Sequence, residues 1–130
     1  MTKRTHFTLE DHTALFGEML DLYLKLRNDV LDLNVLVEER ILKSYIAFAY
    51  AQNHFVIVLP RQRGLRVRLF KPELPYNDPA GICSALSPET DKYAAEGPFE
   101  MEVVLRSEDQ LASTLDIVRQ ALANEIDYRC

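Results

Sequence analysis

The residues with the clearest capacity for chemistry are five cations in a run of eleven residues that contains no acid. Two of them, Arg66 and Arg68, alternate with apolar residues, which is typical of a half-buried strand that carries both charges on one face. Guanidinium groups bind phosphate through paired hydrogen bonds, so the run predicts an anion or nucleic-acid contact. The candidate residues of this basic hairpin are Arg61, Arg63, Arg66, Arg68 and Lys71.

A structural role competes with the anion contact for two of these arginines. Glu100 and Glu102 alternate with apolar residues in a later strand pattern, and opposite charges on neighbouring strands pair across a sheet. In that arrangement Arg66 and Arg68 would each meet a glutamate, and no site for a ligand would remain. We expect this pairing first and the anion contact second.

Aromatic residues near the basic hairpin could add stacking surfaces for nucleotide bases. Packing in the core or against the sheet is the commoner use of such residues, and we expect it for Tyr50, His54 and Phe55. Tyr45 is singled out as a candidate pocket residue because of its phenol hydroxyl.

The remaining chemically capable residues form no recognisable catalytic or metal site. His6, His12 and His54 are not spaced as the three or four ligands of a zinc site would be. Cys83 lies among apolar residues, whereas a reactive thiolate needs an electropositive setting, so we expect it to be a small buried side chain. Cys83 and Cys130 are both expected to stay thiols. We therefore predict no catalytic residue, no metal and no cofactor.

Size and composition indicate one globular domain. The chain has 130 residues, of which 48% are hydrophobic and 27% charged, so we expect a single domain over 1–130 with a core over about 8–126. The net charge of −5 argues against general nucleic-acid binding but allows a local basic patch. The sequence has neither a long apolar run nor a signal-peptide pattern, which predicts a cytoplasmic protein with no membrane partner.

The first helix is predicted from Thr8 to about Asn28. Thr8 and Asp11 form a variant of the capping box, and the residues that follow are good helix formers without proline. The apolar positions cover roughly 200° of the helix surface, which is wider than contact with one sheet face requires. Either the helix is wedged deeply into the fold, or part of it meets a second copy of the chain in a homodimer.

The middle of the chain predicts strands joined by short turns. A short strand is expected at 35–39, stronger strand patterns follow at 44–50, 54–59 and 65–70, and a last one lies at 100–105. Short links favour antiparallel pairing. The connection over 71–99 contains five prolines and is expected to hold one or two helical turns, which would begin at Asp78–Pro79 and Ser87–Pro88.

A second helix is predicted after Ser107, which forms a capping box with Gln110. Its apolar residues make a stripe of about 80°, so the helix should lie flat on the sheet. The sequence thus predicts an α+β fold, in which an antiparallel sheet of four to five strands is flanked by an N-terminal and a C-terminal helix packed on one face. The stripe consists of Leu111, Leu115, Val118, Leu122 and Ile126.

Several segments together carry a resemblance to a known family. They are Tyr45-Ile46-Ala47-Phe48, Asn53 with Phe55, Pro60, Leu65-Arg66-Val67-Arg68-Leu69, Asp78-Pro79-Ala80-Gly81, and Leu111 with Ile117-Val118-Arg119-Gln120-Ala121. Over roughly 15–125 the chain resembles an uncharacterised bacterial domain family, often described as a predicted transport protein. Members of that family commonly sit at the C-terminus of restriction-endonuclease-like or type IV restriction-like proteins, so the resemblance implies an accessory or recognition role.

One segment departs from that family. Residues 88–97 contain no tryptophan, whereas the family usually has a turn with glycine and tryptophan before the last strand. We expect a non-enzymatic recognition or accessory domain whose partner is nucleic acid or another protein. Two alternatives stay open: a homo-oligomerising interaction domain, and a small-ligand binder or enzyme with a site in the 71–99 connection that includes Tyr45 or Arg66.

Overall fold

The computed structural model of the chain describes residues 6–70, 72, 74–86 and 99–129. The described part has the α+β architecture expected from the sequence, with two α-helices and one sheet. None of the helices in these ranges is long and apolar enough to span a membrane. In chain order the elements are α1 (Gly17–Leu31), β1 (Val37–Ile41), β2 (Ile46–Tyr50), β3 (Asn53–Arg61), β4 (Gly64–Phe70), β5 (Cys83–Ala85), β6 (Phe99–Leu105) and α2 (Leu111–Arg129).

In the described residues the sheet has six strands in the order β1-β2-β3-β4-β6-β5, and every neighbouring pair is antiparallel. This is more than the four to five strands expected from the sequence. The additional strand is β5, which falls inside the proline-rich connection and pairs Ser84 with Glu102 of β6. Its three residues, Cys83-Ser84-Ala85, contain no β-branched or aromatic side chain, so the usual strand signal is absent.

The region before β5 forms a turn instead of the helix expected to begin at Asp78–Pro79. Asp78 accepts hydrogen bonds from the backbone N–H groups of Ile82 (3.1 Å) and Cys83 (2.8 Å). Its carboxylate therefore caps a turn that leads into β5, in the way that Asp side chains often satisfy nearby backbone donors. The second expected helix start, at Ser87–Pro88, lies outside the described residues.

Helix α1 begins at Gly17, nine residues later than the sequence predicted. The capping box at Thr8 is present, since Asp11 accepts a hydrogen bond from the Thr8 N–H at 2.7 Å. It closes only one short 3₁₀ turn, Leu9–Asp11. The chain then changes direction at Gly17, whose φ of +54° is a conformation that residues with a side chain rarely adopt.

Both helices pack on the same face of the sheet, as expected. Helix α1 contacts β1, β4 and α2, and α2 contacts β2, β3, β4 and β6. The wide apolar surface of α1 is therefore used within the chain, because one part of it meets the sheet and another meets α2. Buried or partly buried in this core are Leu22, Tyr23, Leu26 and Val30, with Met19, Leu20, Leu24 and Leu31 packed against them.

The opposite face of the sheet carries a second, smaller apolar cluster. Ala47, Ile57 and Leu59 are buried there, and Leu42, Tyr45 and Phe70 pack against them. The strand register places one row of side chains on this face across all six strands. In sheet order the row consists of Arg40, Ala47, Ile57, Arg68, Glu102 and Ser84.

The turn between β2 and β3 holds two residues in an unfavourable backbone conformation. Ala51 and Gln52 have φ values of 48° and 74°, the arrangement of a type I′ hairpin turn, which strongly favours glycine at its second position. Gln52→Gly is therefore expected to raise the free energy of unfolding by about 0.5–1 kcal/mol, measured by urea denaturation. Gln62→Gly in the β3–β4 turn is the control, since Gln62 has no positive φ, and an equal gain there would contradict the prediction.

Candidate functional site

The arginines of β4 and a glutamate of β6 form a charged cluster on the face of the sheet opposite the helices. Arg68 lies directly across from Glu102, and its Nε donates to Oε2 at 3.0 Å. Arg66, one step along β4, donates from Nη1 to Oε1 of the same carboxylate at 3.2 Å. The cross-strand pairing expected from the sequence is confirmed for Glu102, which serves both arginines where the sequence suggested one acid for each.

The members of this cluster differ in their contact with solvent. The side chains of Arg68 and Glu102 are 6% and 9% exposed, whereas that of Arg66 is 45% exposed. Two guanidinium groups, those of Arg66 and Arg68, share this one carboxylate. Since Arg66 is the member that reaches solvent, it is the one that can meet an anion.

The β3–β4 hairpin extends this charge to the end of the sheet. Arg61, the last residue of β3, pairs with Gly64, the first residue of β4, and Gln62 and Arg63 form the exposed turn between them. Arg61 is partly buried and donates from Nη1 to the carbonyl oxygen of Pro60 at 2.8 Å. Lys71, the fifth residue of the predicted basic hairpin, lies outside the described residues.

Arg106, which follows β6, is a cation that the sequence analysis did not include. It is exposed and lies against the start of β4, because a Cβ atom at Gly64 would stand 3.2 Å from its Cγ and 3.0 Å from Cγ1 of Val104. A side chain at position 64 would therefore press on Val104 and Arg106, which would have to move by a few tenths of an ångström. The arginine is forty-two residues from Gly64 in the chain, and only the β4–β6 pairing brings it beside the hairpin.

These cations lie at one end of the sheet, which we call the basic end and which comprises Lys43, Arg61, Arg63, Arg66 and Arg106. Lys43 is exposed in the turn between β1 and β2, and the strand register places that turn at the same end as the β3–β4 turn. The acid nearest in sequence to Arg106, Glu108, is engaged elsewhere, since its carboxylate lies 2.9 Å from Nζ of Lys25 on α1. The basic end can therefore attract an anion with several guanidinium groups.

The aromatic residues considered for stacking have different positions. Tyr45 is partly buried and packs against the apolar cluster of Ala47, Ile57 and Leu59, on the same face as Arg66. Phe55 is fully buried in the main core, which confirms the packing role expected for it. At His54, burial and the nearby charge of Arg40 lower the pKa of the imidazole, which favours its neutral form.

The thiol of Cys83 is poorly suited to nucleophilic chemistry. Burial, together with the negative charge of Asp78, raises the pKa of this thiol to about 11. The thiol is therefore protonated at neutral pH, and the side chain packs against the main core but is partly buried, where the sequence predicted a buried one. Within the described ranges, no group of three or more His, Cys, Asp or Glu side chains is arranged to hold a metal ion.

The third candidate function is a small-ligand or enzyme site in the 71–99 connection, of which the structure describes residues 72, 74–86 and 99. Comparison of the chain with models of protein families, with curated proteins and with solved structures found no match.

Proposed function

We propose that this chain is a non-enzymatic recognition domain whose basic end binds the phosphate backbone of nucleic acid. The observation that carries the proposal is the meeting of two chain segments, the β3–β4 hairpin and the residue that follows β6. The exposed turn residue Arg63, the half-exposed Arg66 and the exposed Arg106 converge at one end of the sheet. Guanidinium groups are the side chains best shaped for phosphate oxygens.

The charge distribution defines what kind of contact this would be. The whole chain has a net charge of −5, so long-range attraction to a polyanion is weak and binding must come from local contacts. Each phosphate contact releases condensed counterions, which makes the affinity fall steeply as salt is raised. The ring of Tyr45, on the same face as Arg66, would offer a stacking surface to an unpaired base.

The resemblance noted in the sequence fits this proposal. Domains of the family that the chain resembles accompany nuclease modules, so a recognition role on nucleic acid would suit a member of it. The cytoplasmic location expected from the sequence would give such a domain access to nucleic acid. The basic end itself supports the proposal independently of that resemblance, because it includes Arg106 and Lys43, which play no part in the resemblance.

The test is a titration of the protein against fluorescent single-stranded and double-stranded DNA and RNA at about 50 and 200 mM salt. The variant Arg63→Ser/Arg106→Ser removes two exposed cations from the surface, so the fold should be kept. We expect the variant to bind about tenfold more weakly and the slope of log affinity against log salt to fall by about 2.

The matched control is Arg119→Ser, which removes an exposed arginine from α2, on the helical side of the sheet. This variant should bind as the wild type does. Absence of salt-dependent binding by the wild-type protein, or an equal loss of affinity in the Arg119→Ser control, would overturn the proposal.

A further inference from the structure

Strand β1 is an edge of the sheet, and its hydrogen-bonding pattern shows which backbone groups it leaves for a partner. The N–H of Leu42 donates to the carbonyl oxygen of Tyr45 at 2.9 Å, so Leu42 directs its backbone groups toward the β2 side. Hydrogen-bonded and non-hydrogen-bonded pairs alternate along an antiparallel ladder. Glu38 and Arg40 therefore direct their backbone groups toward β2, and Val37, Glu39 and Ile41 direct theirs toward the outer edge.

Part of this outer edge is already satisfied within the chain. The N–H of Val37 donates to the carbonyl oxygen of Asn34 at 3.1 Å, which closes the turn before the strand. In the described part of the chain β2 is the only strand beside β1, so both backbone groups of Glu39 and of Ile41 have no strand partner there. An edge with such groups is a template for adding a strand.

The side chains of β1 carry a charge pattern that is complementary to itself. Glu38 and Arg40 lie on the face opposite the helices, 70% and 35% exposed, and the closest approach of their charged groups is 3.8 Å. Glu39 lies on the other face, where it accepts a hydrogen bond from Tyr23 and pairs with Arg27 of α1. The strand thus presents one acid and one base on the open face, symmetrically about Glu39.

We propose that β1 pairs with β1 of a second copy of this chain, antiparallel and centred on Glu39. In this register the outward backbone groups of Glu39 bond to those of Glu39 in the other copy. Glu38 of each copy then stands opposite Arg40 of the other, in the non-hydrogen-bonded positions where cross-strand side chains are closest. In each copy Arg27 compensates the charge of the central carboxylate and Tyr23 donates a hydrogen bond to it, so the two Glu39 side chains can approach.

Charge selects this register over its neighbours. Backbone groups on the outer edge of one copy must bond to backbone groups on the outer edge of the other, and these groups belong to alternate residues. The two-fold axis therefore passes through a residue of β1 and not between two residues. An axis through Glu38 or Arg40 would place that residue opposite its own copy, and like charges directly opposite are destabilising. Among axes through the residues of β1, only the axis at Glu39 sets oppositely charged residues of the strand against each other, and the Glu39 pair at its centre is compensated by Arg27 of each copy.

Apolar residues beside β1 support the same arrangement. Val35 and Leu36, which lead into the strand, are 93% and 55% exposed, which is unusual for large apolar side chains. In the register centred on Glu39, Leu36 of one copy lies opposite Leu42 of the other. The exposed Leu36 side chain therefore gains an apolar neighbour. The interface is small, so we expect a weak dimer.

The test is sedimentation or light scattering of the full chain at about 10 µM to 1 mM, where a small interface should dissociate and form. The mass should rise toward twice the chain mass of 15.0 kDa. Glu38→Arg and Arg40→Glu each place like charges opposite one another. Each variant should raise the dissociation constant of the dimer by about tenfold or more. The double variant Glu38→Arg/Arg40→Glu exchanges the charges and should restore it.

Amide hydrogen exchange gives a second, residue-specific readout on the wild-type protein. The N–H groups of Glu39 and Ile41 should exchange more slowly as the protein concentration rises, while those of Glu38 and Arg40, bonded to β2, should not change. A monomer at every concentration would overturn the proposal. So would a dimer that both charge reversals leave intact, or that the double exchange fails to restore. None of these outcomes bears on nucleic-acid binding, since β1 and the basic end share no residue.

Discussion

Glu102→Ala is expected to lower the free energy of unfolding by about 3 kcal/mol, as is typical when one partner of a buried ion pair is removed. The carboxylate lies 3.0 Å from Arg68, whose side chain is 6% exposed, so loss of the acid removes a charged hydrogen-bond acceptor from a buried guanidinium. Arg66 is half-exposed and can turn to solvent, which limits its share of the loss. Urea denaturation followed by circular dichroism measures the change.

The matched control is Glu100→Ala, an exposed acid of the same strand, which should change stability by less than about 0.5 kcal/mol. A second variant, Arg68→Met/Glu102→Leu, removes both buried charges. It should regain part of the lost stability, because apolar residues often replace a buried pair at little cost. If Glu102→Ala is no more harmful than Glu100→Ala, the buried pair is not a stabilising element of this sheet.

The fold was largely predictable because its main elements carry strong local patterns. The residues of β3 and β4 are apolar or alternate regularly, and short turns join them, so hairpins were the expected outcome. What escaped prediction depended on contacts between distant segments. Strand β5 forms because Ser84 pairs with Glu102 and because Asp78 caps the turn before the strand. Neither Ser84 nor Asp78 is a residue type that predicts a strand.

The start of α1 shows a second physical reason for a wrong prediction. Thr8 and Asp11 make a capping box whether a long helix or a single turn follows, so the motif marks a beginning without giving a length. Gly17 decides where the helix begins, through a positive φ that is a property of the folded chain. One glycine inside a helical pattern is usually tolerated, so it gave no reason to shorten the helix.

The sequence predicted the cations of the hairpin, but it did not predict the other cations that lie beside them at the basic end. Arg61, Arg63 and Arg66 form a local run of charge that is visible in the sequence. Arg106 and Lys43 join them only because β6 and the β1–β2 turn end at the same side of the sheet. Local charge patterns therefore show where a basic surface begins, and strand order determines which other cations complete it.

Glu39→Ala is expected to lower the free energy of unfolding by about 2 kcal/mol, since it leaves a buried hydroxyl without an acceptor. Tyr23 is fully buried and donates its hydroxyl hydrogen to Glu39, and Nε of Arg27 lies 2.9 Å from the same carboxylate oxygen. The carboxylate thus joins α1 to the edge strand β1. Chemical denaturation at low protein concentration measures the change without a contribution from self-association.

The control is Glu38→Ala, the adjacent acid on the opposite, exposed face, which should cost less than about 0.5 kcal/mol. Tyr23→Phe removes the hydroxyl and should cost about 1 kcal/mol. The double variant Tyr23→Phe/Glu39→Ala should cost less than the sum of the two, because each single change already breaks the shared bond. Strict additivity would show that the two side chains stabilise the protein independently.

Alkaline pH offers an independent test of the same contact. Burial, and then the hydrogen bond to Glu39 and its charge, raise the pKa of the Tyr23 phenol above its ordinary value. The protonated phenol therefore stabilises the folded state up to the ordinary tyrosine pKa of about 10, and this contribution declines as pH rises further, because only the unfolded chain releases the proton. The stability advantage of the wild type over Tyr23→Phe should accordingly shrink above that pH. A constant difference between the two proteins across that range would mean that Tyr23 ionises as readily in the folded state as in the unfolded chain.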